Sequence, residues 1–260
     1  MVKKELSGGR KGKIWKESET VIRPSNDWTR TVHRFLSYLR ERGVDFVPKP
    51  LSFDSDNEVL SFMPGDVFHS PYPKDLFSIE SLKSASRLLR QFHDFGKGFI
   101  SQISRDDKWM LEPKKGFEVI CHGDFAPYNV CVNDWHATGI IDFDTIHPGP
   151  RLWDISYAIY RWVPLTSPLN PDTFFELDKQ IHRAGVFFDV YGASAGLREK
   201  LVPMLVERLE ALISYMTTNA PQSETNFGDD IANGHIKVYQ NDIEYLLKHQ
   251  SKIANGLINS

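Results

Sequence analysis

The residues VICHGDFAPYNV, from Val119 to Val130, place a carboxylate and a carboxamide five positions apart. These are Asp124 and Asn129, and a second carboxylate, Asp142, follows thirteen residues later in the run GIIDFD. Each side chain lies beside a short apolar run of the kind that forms a buried strand. The pattern predicts that three oxygen-bearing side chains converge on one point of the fold.

Phosphoryl transfer is the chemistry that such a set could perform. The reaction needs a carboxylate that orients or deprotonates the attacking hydroxyl, and hard oxygen ligands that hold Mg²⁺ on the phosphates. We expect Asp124 to be the base and Asn129 and Asp142 to be the Mg²⁺ ligands. An isolated Asp or Asn in a loop is more often a turn residue or a helix cap. The combination of both motifs at this spacing is what indicates a catalytic site.

The spacing matches the kinase catalytic loop, His-x-Asp-x-x-x-x-Asn, followed by a metal-binding Asp. With Gly in place of Arg after His122, the run HGDFAPYN resembles the aminoglycoside phosphotransferase and choline kinase superfamily rather than the protein kinases. The resemblance continues through DFD at 142–144 and PGPRLWD at 148–154, and it is strongest over 117–163. It implies that His122 is a scaffold for the loop and that Asp154 braces it.

The resemblance also implies where a nucleotide binds. A predicted strand at 57–63 would form the hinge between two lobes, so that backbone groups around Phe62 and Met63 face the adenine or guanine edge. Arg23 stands where the family has a lysine on the phosphates. Arginine keeps the charge and can bind phosphate through two N–H groups, but its geometry differs from that of lysine.

Two further features depart from the kinase pattern. A helix predicted at 29–42 offers no glutamate to Arg23, so we expect the usual ion pair to be absent. The candidate phosphate loop is the glycine cluster at 7–12, which comes so early that the first strand must be very short. An ordinary hairpin turn is the alternative reading of this cluster. The helix positions that face Arg23 hold Val32, His33 and Arg34.

Periodicity and turn residues predict the elements that position the site. Residues 13–17 and 19–23 form an antiparallel pair that ends at Pro24, because proline cannot donate to a ladder. The helix at 29–42 buries one apolar stripe, and residues 133–136 connect two strands as a hairpin. The remainder is mainly helical, with Ser78 and Asp154 as helix N-caps and further helices near 172–190, 198–216 and 229–256.

We therefore expect an α+β, protein-kinase-like, two-lobed fold. A reduced N-terminal β lobe at 1–64 would bind the nucleotide, and a mainly helical C-terminal lobe at 65–260 would carry catalysis and the acceptor site. With 260 residues, of which 41% are hydrophobic, the chain can form cores of this size. Cys121 and Cys131 lie in predicted strands beside the catalytic loop, where two buried thiols are expected rather than a disulfide.

Net charge and hydrophobic runs limit the partners. A net charge of −3 gives no sign of a nucleic-acid-binding surface. The N-terminus lacks the apolar core of a signal peptide, and no run is long enough to span a membrane, so a cytoplasmic location is expected. The sequence leaves the oligomeric state open.

The expected activity is transfer of the γ-phosphoryl group of ATP or GTP to a hydroxyl of a small molecule. Only a dozen residues separate Asp142 from Asp154, which leaves no activation segment for protein substrates. An aminoglycoside-like or other cationic acceptor would suit acidic residues near the C-terminal helices, although a solvated surface explains any one of them more simply. They are Asp189, Glu224, Asp229 and Asp230.

Two rival functions stay open. A catalytically weak pseudokinase could bind nucleotide or a small molecule as a resistance or immunity module; the missing ion pair favours it, and the complete set of Asp124, Asn129 and Asp142 opposes it. A metal-dependent hydrolase could use the same carboxylates. It would normally have a His-rich or multi-carboxylate site, which the sequence lacks.

Overall fold

The computed structural model describes residues 3–6, 13–220 and 227–258. The chain divides into two compact units, each made of two segments. The first unit combines Met1–Val67 with Leu88–Arg151, and the second combines Phe68–Arg87 with Leu152–Ser260. An antiparallel sheet in the N-terminal part and helices in the C-terminal part confirm the α+β class. The division into lobes at 1–64 and 65–260 stays a prediction.

The first unit contains a five-stranded antiparallel sheet with strand order β1-β2-β3-β5-β4. The predicted strand pair is confirmed as β2 and β3, with Glu17 opposite Thr20. Strand β4 was not expected from the sequence. The strands are β1 (Lys3–Glu5), β2 (Trp15–Glu17), β3 (Thr20–Pro24), β4 (Pro50–Phe53) and β5 (Asn57–Ser61).

Helix α1 (Thr29–Glu41) follows β3 and packs against β4. Its predicted apolar stripe is fully buried, since each of the four side chains is at most 1% exposed. Gly43 ends the helix in a left-handed conformation, with φ 77°, that glycine adopts without steric cost. The stripe consists of Val32, Phe35, Leu36 and Leu39.

Two short antiparallel pairs carry the predicted catalytic segment. Strand β6 (Val119–Cys121) pairs with β9 (His147–Gly149), and β7 (Val130–Asn133) pairs with β8 (His136–Ile140). The turn between β7 and β8 has positive φ at both central residues, 48° at Asp134 and 62° at Trp135. Such a turn matches the twist of the strands it joins and confirms the predicted hairpin.

The second unit is helical. Ser78 caps α2 (Ile79–Gly96) as predicted, because its Oγ accepts the Ser81 N–H at 3.1 Å, and α2 continues into the first unit. The prediction that Asp154 is an N-cap is wrong: α3 (Arg151–Trp162) begins directly after Pro150, and proline suits a helix start because it has no N–H to satisfy there. Asp154 therefore lies inside the helix.

The predicted last helix, at 229–256, is two helices. They are α7 (Phe227–Ala232) and α8 (His235–Ile258), and the break contains Gly234 with φ 84°. The short α5 (Ala195–Glu199) was not predicted. The remaining helices are α4 (Leu177–Tyr191) and α6 (Leu201–Asn219).

A buried carboxylate, Asp242, ties α8 to the rest of this unit. It accepts hydrogen bonds from the Tyr160 hydroxyl at 2.8 Å, the Asn170 amide at 2.7 Å and the Ser167 N–H at 2.7 Å. Burial raises the pKa of Asp242, and the three donors only partly offset this effect. Within the described part of the chain, no helix is long and apolar enough to cross a membrane.

Candidate active site

The loop from β6 to β7 holds Asp124 by both carboxylate oxygens. The Tyr128 hydroxyl donates to Oδ1 at 2.7 Å, and the Asn129 side-chain amide donates to Oδ2 at 2.9 Å. The same amide also donates to the Asp124 carbonyl at 3.0 Å. These hydrogen bonds fix the orientation of the Asp124 carboxylate. Because Asp124 is only partly buried, solvent can still reach this carboxylate. Tyr128 was not singled out from the sequence.

His122 connects the catalytic loop with the strand end that carries Asp142. Its Nε2 lies 3.0 Å from the Ile141 carbonyl, which can only accept, so the proton is on Nε2. The other ring nitrogen, Nδ1, then accepts the Asp124 N–H at 3.3 Å. A fully buried ring with both nitrogens engaged in this way supports the loop backbone and is not positioned to carry protons.

The residue after His122 must be a glycine. Gly123 has φ 81°, and a Cβ at this position would collide with the Thr145 carbonyl oxygen. The Thr145 hydroxyl in turn donates to the His122 carbonyl at 2.8 Å. The catalytic loop and the segment after Asp142 are therefore in direct contact, with no room for a side chain between them.

Asn129 and Asp142 are brought together by a backbone hydrogen bond, from the Ile141 N–H to the Asn129 carbonyl, at 2.9 Å. Because the Asn129 amide nitrogen faces Asp124, its Oδ1 is the atom left for a cation. Asp142 has a left-handed backbone, φ 59° and ψ 71°, which is costly for a residue other than glycine. The next residue, Phe143, anchors this bend because its ring is buried against His122.

Arg23 makes a three-point contact with carboxylates. Its Nε donates to Glu58 at 2.6 Å, Nη1 to Asp142 at 2.8 Å and Nη2 to Asp144 at 2.7 Å. Burial by itself lowers the pKa of Arg23, but attraction to Asp144, Asp142 and Glu58 outweighs it and the pKa is raised. The guanidinium is therefore a permanent cation beside the predicted metal ligand.

Arg23 has an ion-pair partner that was not predicted, and this partner lies on a strand and not on α1. The glutamate of α1, Glu41, is its last residue, whereas Glu58 lies directly opposite Arg23 in the β3–β5 pairing and is 0% exposed. Cross-strand neighbours share one face of a sheet, so the register alone creates this contact. A sequence signal existed: Glu58 occupies the same face of its strand as the buried Leu60, where an unpaired carboxylate would be costly.

Phe62 and Met63 directly follow β5. The Phe62 N–H is already bonded to the Glu19 carbonyl at 2.8 Å, and the Cys131 thiol lies 3.8 Å from the Met63 carbonyl. The Lys16 ammonium lies 3.4 Å from the centre of the Phe62 ring. A base edge at this position would therefore meet a cation and an aromatic ring, together with the remaining backbone groups.

The other predicted residues are placed as follows. Asp154 is fully buried in α3, and Asp189 is paired with Arg198 at 2.6 Å. Asp229 is exposed at the start of α7. The candidate phosphate loop at 7–12, Glu224 and the side chain of Asp230 lie outside the described residues. The short strand predicted before that loop is confirmed by the three-residue β1.

The donor set around Asn129 and Asp142 suits Mg²⁺. This ion usually keeps several waters and takes one or two carboxylates together with substrate phosphates. One carboxylate that is about half exposed (48%) and one amide oxygen match this need. Over residues 3–6, 13–220 and 227–258, no group of three or more His, Cys, Asp or Glu side chains is arranged to hold a metal.

Comparison with known proteins agrees with this site. The sequence model of the phosphotransferase enzyme family matches residues 99–184, which include the catalytic loop and the Asp142 segment. Over these residues the chain is similar to this family, so the predicted resemblance is confirmed. A search of curated proteins finds no match.

Solved structures show the same fold at low sequence identity. A choline/ethanolamine kinase family protein from Mesorhizobium loti has a TM-score of 0.66 and 13% identity, covering 100% of this chain and 93% of its own. An amicoumacin kinase in complex with AMP-PNP and Ca²⁺ has a TM-score of 0.64 and 12% identity, covering 97% and 88%. A spectinomycin phosphotransferase in complex with ADP and spectinomycin has a TM-score of 0.57 and 12% identity, covering 96% and 93%.

Proposed function

We propose that this protein transfers the γ-phosphoryl group of ATP or GTP to a hydroxyl group of a small molecule. The observation that carries the proposal is the geometry of Asp124. Both of its carboxylate oxygens are held, by Tyr128 and Asn129, in a loop bonded through its backbone to the strand end that bears Asp142. A fixed, partly exposed carboxylate beside a magnesium-type donor set is what phosphoryl transfer requires.

In this proposal Asp124 orients the acceptor hydroxyl and takes its proton at a carboxylate oxygen. Asn129 Oδ1 and the Asp142 carboxylate would hold Mg²⁺, which neutralises charge on the phosphates when it is bound. The His122 ring would hold the catalytic loop at a fixed distance from the Asp142 segment, because it is hydrogen-bonded to both the Asp124 N–H and the Ile141 carbonyl. The predicted bracing role of Asp154 stays part of the proposal.

Nucleotide binding is assigned to residues of the N-terminal lobe at 1–64. Arg23 would clamp the phosphates, since its guanidinium is already next to Asp142 and an arginine can contact a phosphate through two N–H groups. Phe62 and Met63 would face the base. The lobe at 65–260 would then supply catalysis and the acceptor site, and a cytoplasmic location agrees with a nucleotide-dependent reaction.

The neighbouring structures support the proposed acceptor class. They include kinases of choline or ethanolamine type and of spectinomycin, so an aminoglycoside-like or other cationic compound is the first candidate. Of the acidic residues predicted to attract such a compound, Asp189 is already neutralised by Arg198. Asp229 is exposed and keeps this role open.

A pseudokinase is the second candidate, and one contact favours it. Arg23 Nη1 lies 2.8 Å from Asp142 Oδ1, so a guanidinium occupies one oxygen of the predicted metal ligand. A protein that retains this ion pair with nucleotide bound would bind Mg²⁺ weakly and turn over slowly. It would then act as a nucleotide- or small-molecule-binding module.

An acceptor screen tests the proposed activity. The protein is incubated with γ-labelled ATP or GTP, Mg²⁺ and a panel of aminoglycosides, choline-like amines, sugars and nucleosides, and labelled products are separated from free phosphate. We expect label in at least one acceptor, with EDTA abolishing the transfer. Nucleotide binding without transfer to any acceptor, and without hydrolysis above background, would favour the binding module.

A further inference from the structure

His33 is a buried histidine of α1 that is linked to Arg23 through Glu58. We propose that His33 is a positioning residue for the Arg23 guanidinium and acts on it through Glu58. The inference rests on the proposed function, in which Arg23 binds the nucleotide phosphates. It assigns to His33 the task that a helix glutamate performs in the kinase pattern, which is to fix the phosphate-binding cation from the side of the helix.

The three side chains form a continuous chain of hydrogen bonds. His33 Nε2 lies 2.9 Å from Glu58 Oε2, and Glu58 Oε1 accepts from Arg23 Nε at 2.6 Å. Because a carboxylate only accepts, the His33 nitrogen is the donor. His33 is 7% exposed, Glu58 0% and Arg23 9%, so water cannot replace either bond easily.

The Glu58 bond to Arg23 Nε determines where the rest of the guanidinium points. The guanidinium is planar, with its donors in a fixed fork, so fixing Nε also sets the directions of Nη1 and Nη2. These are the atoms that reach Asp142 and Asp144. A small rotation of the Glu58 carboxylate would therefore be passed on to the segment that carries the predicted metal ligand.

His33 is what prevents this rotation. Without it, Glu58 Oε2 would be a buried acceptor with one fewer donor, and the carboxylate would gain by turning toward another partner. The ring itself is held on α1, where it packs edge-on against Phe53 with the ring centres 4.9 Å apart. Helix α1 also contacts the turn at Phe143–Thr145, which directly follows Asp142.

The test uses three variants of the full chain. His33→Leu removes the donor, His33→Gln places an amide N–H near the position of Nε2, and His182→Leu is a matched change of an exposed histidine. Two quantities are measured: hydrogen exchange of the Arg23 Nε–H by ¹⁵N NMR, and the affinity and kcat/KM for Mg·ATP. The exchange rate requires no turnover, so it reports on the inference even when the proposed activity fails.

We expect His33→Leu to speed exchange of the Arg23 Nε–H and to lower kcat/KM about tenfold or more, the scale for losing a hydrogen bond to a buried charge. His33→Gln should restore most of both, and His182→Leu should change neither. Unchanged Arg23 exchange in His33→Leu, with or without a loss of melting temperature, would overturn the inference. If His33→Leu does not fold, His33→Asn answers the same question, because its shorter side chain cannot reach Glu58.

The outcome separates the two proposals. If the wild type turns over nucleotide and His33→Leu matches it in both measurements, the positioning role is wrong and the phosphotransferase proposal stands. If the wild type has no activity but exchange of the Arg23 Nε–H depends on His33, the positioning role stands and the phosphotransferase proposal fails.

Discussion

Replacement of Arg23 by Met should destabilise the protein strongly, because it leaves the Glu58 carboxylate buried without its cation. Removing one partner of a buried ion pair costs ~3–5 kcal/mol. The other two partners add little: Asp142 is 48% and Asp144 22% exposed at the side chain, so water can solvate them once Arg23 is gone. At ~2–4 °C per kcal/mol, the melting temperature should fall by roughly 6–20 °C.

Equilibrium unfolding in denaturant and scanning calorimetry measure this loss. Arg23→Lys should lose less, ~1–3 kcal/mol, because it keeps the charge but cannot make three separate contacts. The double variant Arg23→Met/Glu58→Gln should regain at least ~2 kcal/mol over Arg23→Met, since it removes the buried unpaired charge. Arg105→Met, at an exposed position, is the control. A loss below ~1 kcal/mol in Arg23→Met, or no recovery in the double variant, would refute the reasoning.

Four further outcomes are expected. In the wild type, Mg²⁺ should increase the stabilisation by ATP or GTP, which reaches ~2.7 kcal/mol when the nucleotide concentration is a hundredfold above its Kd. A thermal-shift titration should show that Asp142→Ala loses this gain. Gly123→Ala should cost more than the ~1–2 kcal/mol of a left-handed residue, as measured by denaturant unfolding, because its Cβ would also meet the Thr145 carbonyl. Burial raises the pKa of the Cys131 thiol to about 11, so alkylation monitored by mass spectrometry at mildly alkaline pH should require unfolding. The pKa of Asp242 is higher in the folded than in the unfolded protein, so its contribution to the free energy of unfolding should fall as the pH rises from the unfolded-state pKa through the folded-state pKa. Denaturant unfolding at several pH values should show that Asp242→Asn lacks this part of the pH dependence.

The strands and the hairpin turn around Asp124, Asn129 and Asp142 were predicted well because their signals are local, whereas the catalytic roles of these residues stay a prediction. The positions of Asp124, Asn129 and Asp142 follow from one loop and one hairpin, and the hairpin turn itself is set by two adjacent residues. The buried apolar stripe of α1 could be predicted for the same reason, because apolar residues recur at helical spacing over a few turns. In each case, residues close in sequence determine the geometry.

The ion pair between Arg23 and Glu58 could not be predicted from residues close in sequence. Its partner Glu58 is 35 residues away, and the contact depends on which strands pair and in which register. The kinase pattern places the partner on α1, where the positions that face Arg23 hold Val32, His33 and Arg34. In the structure His33 contacts Glu58, so this helix position is connected to Arg23 through one additional residue.

Errors at helix ends have a similar origin. Asp154 was predicted as an N-cap because Asp is common there, whereas Pro150 lets α3 begin earlier. The break before α8 at Gly234 was overlooked because one glycine inside a helical pattern is often tolerated. Both boundaries depend on a single residue, which periodicity over a long window does not resolve.

Comparison of wild type with Asp124→Asn in Mg·ATP or Mg·GTP turnover tests the central claim most directly. An asparagine can keep both contacts of the loop, accepting from Asn129 and donating to Tyr128, so fold and nucleotide affinity should be unchanged. Asp134→Asn, an exposed change in the neighbouring hairpin, is the matched control. We predict that phosphoryl transfer, or slow hydrolysis without an acceptor, falls by about 10²-fold or more in Asp124→Asn only. Equal rates in all three proteins would contradict the assignment of Asp124 as the base and the phosphotransferase account with it.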